Sequence, residues 1–287
     1  MKVAFAGLGV MGYPMAGFLA GAGHDVTVCN RTRSKADAWQ EQYAGSVAAT
    51  PREAAAGAEI VFCCVGNDND VRQVILGDNG VLAGISTGSV IVDHTTASAT
   101  VACEVYGQAK NKGVDFLDAP LSGGQAGAES GQLTIMVGGD QPAYERILPV
   151  MDCYAKACTL IGDVGCGQKA KMVNQICIAG LVQGLAEGLH FAKRSNLDVS
   201  AVIGAISKGA AQSWQMENRW QTMIADEFEF GFAVEWMRKD LNIALDEAER
   251  VGATLEATRL VDRFYAEVEK LGGKRFDTSS LIKRLEP

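Results

Sequence analysis

The chain is poor in the features that mark several function classes. Its three histidines, His24, His94 and His190, are scattered with no metal-ligand spacing, so no histidine-based metal site is expected. Its eight cysteines (29, 63, 64, 103, 153, 158, 166 and 177) form no C-x-x-C pair, and most sit in apolar runs such as Phe62-Cys63-Cys64-Val65. Reduced, buried thiols in a cytoplasmic protein are expected from that usage. Basic residues are in deficit: a net charge of −8 disfavours a nucleic-acid partner or an anionic membrane. No unbroken apolar stretch opens the chain either. Residues 3–23 carry no charge, yet six glycines and Pro14 interrupt the continuous helix that a signal core or membrane span needs. Repeats and low-complexity linkers are absent. What remains, 287 residues of which 48% are hydrophobic, suffices for one large or two moderate domains with a sizeable core.

The most informative segment begins at residue 3. Val-Ala-Phe-Ala places a short apolar strand directly before Gly7-x-Gly9-x-x-Gly12, and a helix-forming run follows through Ala22. In that order Gly7 permits a tight turn, Gly9 lets a pyrophosphate approach the backbone, and Gly12 lets the helix pack close to the strand. Leu8, Val10 and Met11 complete the turn, and the helix N-terminus points its N–H groups at the anion. A second strand at 25–29 completes a βαβ unit. β-rich runs at 47–49, 59–65, 89–93, 114–117, 133–137 and 159–161 then alternate with helical stretches. From about Gly167 helical patterns take over, at 169–195, 199–208, 216–224, 234–252 and 255–271. The expected fold is α/β: a Rossmann-type doubly wound sheet over residues 1–163, then an all-α domain over 164–287 whose long first helix spans the junction. Ala179, Gly180, Gly184 and Ala186 let other helices approach that helix closely, so a homo-oligomer, dimer or tetramer, is expected.

The end of the second strand selects the dinucleotide. An acidic residue here would hydrogen-bond a ribose 2′-hydroxyl, but the chain has Asn30, followed by Arg31, Thr32 and Arg33. A carboxylate repels a 2′-phosphate, whereas an arginine fork accepts one through two charge-assisted hydrogen bonds. NADP is the expected cofactor. NAD stays admissible if Arg31 and Arg33 are ordinary solvated charges.

Two further blocks have a physical reading of their own. Lys171, Asn174 and Gln175 share one face of a helix, and residues 172–186 carry no charge, so Lys171 lies at the edge of a long apolar helix. Partial burial and a nearby nicotinamide cation would lower its pKa toward the working range of a proton donor. Ser122-Gly123-Gly124 is a small-residue turn whose N–H groups and hydroxyl can hold a carboxylate.

Four blocks in order resemble the β-hydroxyacid dehydrogenases along the whole chain: Gly7-Leu-Gly-Val-Met-Gly12, Asp118-Ala-Pro-Leu-Ser-Gly-Gly-Gln-Ala-Gly-Ala128, Gly165-Cys-Gly-Gln-Lys-Ala-Lys171-Met-Val-Asn174-Gln175, and Lys239-Asp240-Leu241. That family includes 3-hydroxyisobutyrate dehydrogenases, tartronate semialdehyde reductases and glyoxylate/succinic semialdehyde reductases. The resemblance implies an NADP(H)-dependent oxidoreductase that interconverts a small 3-hydroxy acid, 4-hydroxybutyrate or glycolate with its semialdehyde or aldehyde. An NAD-dependent 3-hydroxyisobutyrate or L-serine dehydrogenase is the alternative it allows. It makes Lys171 the general acid/base and sets Ser122, Gly123 and Gly124 at the substrate carboxylate. Asn174 and Gln175 steady the substrate hydroxyl or carboxylate. Thr96 lies on the nicotinamide side, Val65 and Lys239 contact the cofactor, and Asp240 orients the site. An aromatic region that includes Trp214, Trp220 and Phe232 is expected to close over the substrate tail. Within it Arg219 is the candidate cation for the distal carboxylate of succinic semialdehyde, whereas a methyl-bearing substrate calls for an apolar wall. Three rivals fit less well: 6-phosphogluconate dehydrogenase needs a longer helical domain, an imine-reducing relative typically replaces the lysine, and a non-catalytic NADP sensor could lose Lys171 and Ser122, both of which are present.

Overall fold

A computed structural model describes residues 1–285. The chain forms two compact units, Met1–Lys171 and a second that begins at Met172. The first is built on one nine-stranded sheet: β1 (Lys2–Ala6), β2 (Asp25–Cys29), β3 (Ser46–Val47), β4 (Ile60–Cys63), β5 (Val90–Asp93), β6 (Asp115–Asp118), β7 (Leu121–Ser122), β8 (Leu133–Gly139) and β9 (Ala155–Gly162). Their order is β3-β2-β1-β4-β5-β6-β8-β7, with β9 paired to β8. The pairs among β1 to β6 are parallel, while β8 runs antiparallel to β6 and β7 and parallel to β9. Central parallel strands are covered on both faces and so read as continuous apolar runs, as in Ile-Val-Phe-Cys of β4, buried at every position. Phe5, Trp39, Phe62, Val92 and Leu117 pack in one apolar layer, and Val61, Cys63, Ile91, Val105 and Phe116 in the other.

β1 lies between β2 and β4, so strand order reverses there, and register fixes the level at which the chain leaves the sheet. Ala6 pairs with Cys29 on one side and with Cys63 on the other. Gly7, Asn30 and Cys64 therefore emerge side by side at the carboxyl ends, where the crevice of an open α/β sheet forms. Two details differ from the sequence expectation. Ser122 lies in a two-residue strand, paired with Thr134, rather than in a plain turn. The long helix spans Cys166–Arg194 and so starts three residues ahead of residue 169, because Asp118 caps it from a distant strand, as described below.

The second unit is helical. The long helix runs into it, and Val199–Ile206, Trp214–Ala225, Val234–Val251 and Glu256–Lys270 follow, with a 3-10 segment at Thr278–Leu285. Val182, Leu189, Met223, Met237, Leu241, Val261 and Tyr265 form its core. By length and composition the long helix could cross a membrane, and 44% of its most apolar window is buried within the fold. Its opposite face stays exposed through Val173, Cys177, Leu181 and Phe191, notched by Gly180, Gly184 and Gly188, where a Cβ would meet no atom within 4 Å. No disulfide joins the eight cysteines. Cys29 and Cys63 are buried, and burial pushes the Cys29 thiol up to about 12. Cys103 and Cys177 are exposed, contrary to the expectation of buried thiols, because each falls on the outer face of its helix.

Candidate active site

The glycine turn is shaped by its own backbone. Gly7 has a φ of +102°, and a Cβ there would lie 2.2 Å from the Cys64 carbonyl oxygen. One on Gly12 would lie 2.0 Å from the Gly7 oxygen. Gly9 is the opposite case: a Cβ there would meet no atom within 4 Å, so the turn borders open space that fits a diphosphate. The Gly12–Gly21 helix has neither a side-chain cap nor an acidic residue in its first turn, so no side-chain charge opposes the positive end of its dipole. Asn30 joins this turn to the next loop, accepting from the Leu8 N–H at 2.9 Å and donating to the Thr32 oxygen at 2.9 Å. Its amide is thus occupied within the chain. Arg31 is 88% exposed with one guanidinium nitrogen 3.5 Å from Asp70 Oδ1, and Arg33 pairs with Asp37 at 2.7 Å. Val10 and Thr32 are exposed, Met11 is half-buried, and half-buried Val65 donates its N–H to Thr95 Oγ1 at 3.0 Å.

Lys171 and Thr96 are tied into one assembly by two residues outside the expected site, Asp118 and Gln168. The Gln168 amide donates to the Thr95 oxygen at 2.7 Å and accepts from the Ala97 N–H at 3.0 Å, so it brackets Thr96 on both sides. The Gln168 N–H donates to Asp118 Oδ2 at 2.8 Å, and the Gly165 N–H to Asp118 Oδ1 at 2.7 Å. A carboxylate at the end of β6 thereby satisfies the first N–H groups of the long helix, where its charge also suits the helix dipole. Burial pushes the Asp118 carboxyl above its usual range, against the pull of these N–H donors. Gly167 permits the close approach, since a Cβ there would lie 2.5 Å from the Asp118 and Met136 carbonyl oxygens. Lys171 follows Gln168 by three residues and is 8% exposed. Ser122 is half-buried, and the exposed Gly123 and Gly124 beyond it have φ of +132° and +60°, opening the Gly124–Glu129 helix.

In the second unit a chain of polar groups links two other expected site residues, Gln175 and Asn174, to buried Asp240. Asp240, 2% exposed, accepts from Gln175 Nε2 at 2.7 Å, and Gln175 Oε1 accepts from Asn174 Nδ2 at 2.7 Å. A carboxylate can only accept, so Gln175 must turn its NH2 to Asp240 and its oxygen to Asn174, and Asn174 is left presenting its own carbonyl oxygen outward. Lys239 Nζ stands 3.2 Å from Asp240 Oδ1 without hydrogen-bond alignment. Phe232 donates its N–H to Asp277 Oδ2 at 3.0 Å. Arg219, the candidate for a distal substrate carboxylate, instead faces Asp277 Oδ1 from 3.3 Å. Among the described residues no group of three or more His, Cys, Asp or Glu side chains is placed to hold a metal ion. His94 is a core residue, with Nδ1 2.7 Å from the Ala119 oxygen and Nε2 3.0 Å from the Tyr154 hydroxyl.

Comparison with known proteins agrees with this architecture. The profile described as the NAD binding domain of 6-phosphogluconate dehydrogenase matches residues 2–162, and the one described as NAD-binding of NADP-dependent 3-hydroxyisobutyrate dehydrogenase matches residues 165–285. The 2-hydroxy-3-oxopropionate reductase of Escherichia coli is 36% identical over 100% of this chain and 97% of its own. An uncharacterized oxidoreductase of Shewanella frigidimarina is 61% identical over 99% of this chain and 98% of its own. The structure of Mycobacterium tuberculosis 3-hydroxyisobutyrate dehydrogenase with L-serine superposes with a TM-score of 0.91 at 30% identity, covering 99% of each chain. The chain belongs to the β-hydroxyacid dehydrogenase family.

As a member of the β-hydroxyacid dehydrogenases it is an NAD(P)-dependent oxidoreductase with a dinucleotide-binding sheet and a helical second part. Asp118 and Gln168 stood inside the family blocks without a stated purpose. A signal for Asp118 was nevertheless present: it directly follows the apolar pair Phe116-Leu117 of a strand, where a buried carboxylate must find donors. Gln168 gave none, because the partners of its side chain lie more than seventy residues earlier in the chain.

Proposed function

We propose that this protein is an NADP(H)-dependent reductase of small carboxylate-bearing aldehydes, working in reverse as a dehydrogenase of a 3-hydroxyisobutyrate-like acid, 4-hydroxybutyrate or glycolate. The observation that carries this reading is the Asp118–Gln168 clamp, which holds buried Lys171 one helical turn beyond the amide that brackets Thr96. Proton transfer requires a donor with a fixed position, and a lysine on a clamped helix has one. The Gly7–Gly12 turn takes the pyrophosphate, Arg31 with Thr32 takes the 2′-phosphate, and Val65, Thr96 and Lys239 contact the rest of the cofactor. Asn30 shapes that loop from within. When bound, the nicotinamide supplies or accepts the hydride. Lys171 Nζ gives a proton to the carbonyl oxygen in reduction and takes it back in oxidation. Ser122 and the N–H groups of Gly123 and Gly124 hold the substrate carboxylate. Asn174 offers its outward oxygen to the substrate hydroxyl, with Gln175 and Asp240 as its supports, and Phe232 lines the substrate tail.

Net charge and cysteine usage support a cytoplasmic location without nucleic-acid or membrane partners. The exposed, glycine-notched face of the long helix supports a homo-oligomer, dimer or tetramer. A second reading, an NAD-dependent 3-hydroxyisobutyrate or L-serine dehydrogenase, is favoured by the engagement of Arg31 with Asp70 and by the L-serine in the mycobacterial structure. Following reduced-cofactor absorbance with glyoxylate, small semialdehydes, 3-hydroxyisobutyrate and serine, each with NADP(H) and NAD(H), separates the two. Faster NADPH-linked aldehyde reduction is expected. NAD-linked serine or hydroxyisobutyrate oxidation alone selects the second reading, and no turnover of any of these compounds sinks both.

A further inference from the structure

Asp277 is a buried carboxylate, 2% exposed, for which the proposed chemistry has no use. Its Oδ2 accepts from the Phe232 N–H at 3.0 Å, and its Oδ1 accepts from the Ser279 N–H at 3.0 Å and the Ser279 hydroxyl at 2.6 Å. Arg219 Nε stands 3.3 Å from the same Oδ1. The backbone adds two bonds, Asp277 N–H to the Phe228 oxygen at 2.8 Å and Thr278 N–H to the Phe232 oxygen at 2.9 Å. The loop between the Trp214–Ala225 and Val234–Val251 helices is thus stitched at Phe228 and at Phe232 to the segment that follows Phe276. Gly231 allows this, with a φ of +70° and a Cβ position only 2.0 Å from Asp277 Oδ2.

Arg219 is held in the same structure. Its guanidinium carbon lies 4.6 Å from the Trp214 ring and 5.0 Å from the Phe230 ring, and its NH1 donates to the Asn218 oxygen at 3.1 Å. A guanidinium between two rings and against a buried carboxylate is matched in charge and geometry, and removing one member of such a pair leaves the other uncompensated. The cation that a distal carboxylate would need is therefore already occupied.

We infer that Asp277 is a positioning and specificity residue for the substrate tail: it fixes the Phe232 backbone and keeps the Arg219 charge engaged, so the loop offers an apolar wall. A substrate with one methyl-bearing carbon between its aldehyde carbon and its carboxylate is preferred over one whose carboxylate lies a carbon further away, at the end of the tail. This inference rests on the proposed role of Phe232.

The test compares 2-methyl-3-oxopropanoate, which has the methyl tail, with succinic semialdehyde, which has the distal carboxylate. Asp277→Asn keeps the size of the side chain but removes the charge that engages Arg219. The ratio of kcat/KM values should move toward succinic semialdehyde by about fivefold or more, through KM, with kcat on the methyl-tailed substrate and NADPH affinity little changed. Arg219→Gln should weaken both substrates alike, because in the parent the charge serves neither. Hydrogen exchange reads the latch without any substrate: the Phe232, Asp277 and Thr278 amides, which donate across it, should be protected in the parent, and Asp277→Ala should speed their exchange about tenfold or more. An unchanged substrate ratio in Asp277→Asn, or selective loss of succinic semialdehyde in Arg219→Gln, overturns the specificity inference. Unprotected parent amides overturn the latch. A parent that reduces no semialdehyde sinks the proposed function instead, and the exchange result still stands.

Discussion

At the glycine turn after β1, order comes from backbone atoms meeting backbone atoms. Gly12 faces the Gly7 oxygen and Gly7 faces the Cys64 oxygen, at distances where no Cβ fits. In the second unit, order comes from side chains: Asp240 sets Gln175, and Gln175 sets Asn174. The two regions should fail differently. A steric lock has no intermediate state, because interiors are close-packed and the clash falls on main chain. A polar chain degrades by steps, since each link is worth about 0.5–1.5 kcal/mol while an orphaned buried group costs about 1–3.

The largest effect should come from Lys171→Ala, which is aimed at the proton donor rather than at either kind of order. Cofactor binding should persist in fluorescence titration while kcat falls about a hundredfold to ten-thousandfold, the scale of a lost proton donor. Arginine at this position should fail too, because a guanidinium keeps its proton at any working pH. Near-parent turnover by Lys171→Ala would remove the lysine from the mechanism.

The steric lock is tested by a pair of alanines. Gly12→Ala should cost about 3 kcal/mol or more of stability and abolish cofactor binding, since its Cβ would meet main-chain oxygen at 2.0 Å. Gly9→Ala should leave thermal unfolding within about 1 kcal/mol of the parent, because its Cβ position is open, yet weaken the dinucleotide that needs that space. Equal losses of stability in the two variants would break the contrast.

A third experiment concerns two neighbours at the end of β5. Burial lowers the His94 pKa to about 4 and raises that of Asp93 to about 7, the latter against hydrogen bonds from Thr95. Burial of neutral His94 therefore costs stability as pH falls from its unfolded pKa of about 6.5 toward 4. Asp93, with its folded pKa raised, does the reverse: its contribution is present at low pH and is lost as pH rises from about 4 to 7. The two offset in the same window. Asp93→Asn removes one side, so the variant should lose about 3 kcal/mol more than the parent between pH 7 and 4.5, measured by urea unfolding. Parallel pH profiles would rule out this opposition.

The polar chain predicts a smaller change. Gln175→Leu should cost about 1–3 kcal/mol by leaving buried Asp240 Oδ2 without its donor and should raise the substrate KM, because Asn174 loses the partner that sets its amide. An unaltered KM would show that Asn174 is held by other means. Smallest of all, Arg31→Ala should raise the KM for NADPH about fivefold and leave that for NADH unchanged. A side chain 88% exposed and already beside Asp70 gives about 1 kcal/mol at most. Equal effects on both cofactors would show that Arg31 does not read the 2′-phosphate.

Much of this was legible in the sequence because it is local. The turn at Gly7, the alternation of strands with helices and the helical second half depend on neighbouring residues, and their bounds moved by only a few positions. Asp118 with Gly165, Gln168 with Thr95, and Phe232 with Asp277 are separated by 47, 73 and 45 positions, and no periodicity reports such pairings. The same holds for Arg219, the candidate cation for a distal substrate carboxylate: its counterion Asp277 is 58 residues away, outside any motif. The short strand at Ser122 was missed because two residues are too few to alternate.

The long helix carries its own chemical reporter. Cys177 sits on the exposed face beside Gly180 and Leu181, while Cys103 is exposed on a different helix of the first unit. A thiol reagent should reach both on an isolated chain. If a second copy covers the glycine-notched face, dilution should raise alkylation of Cys177 while that of Cys103 stays constant, so mass spectrometry of two peptides measures self-association without any assay of activity.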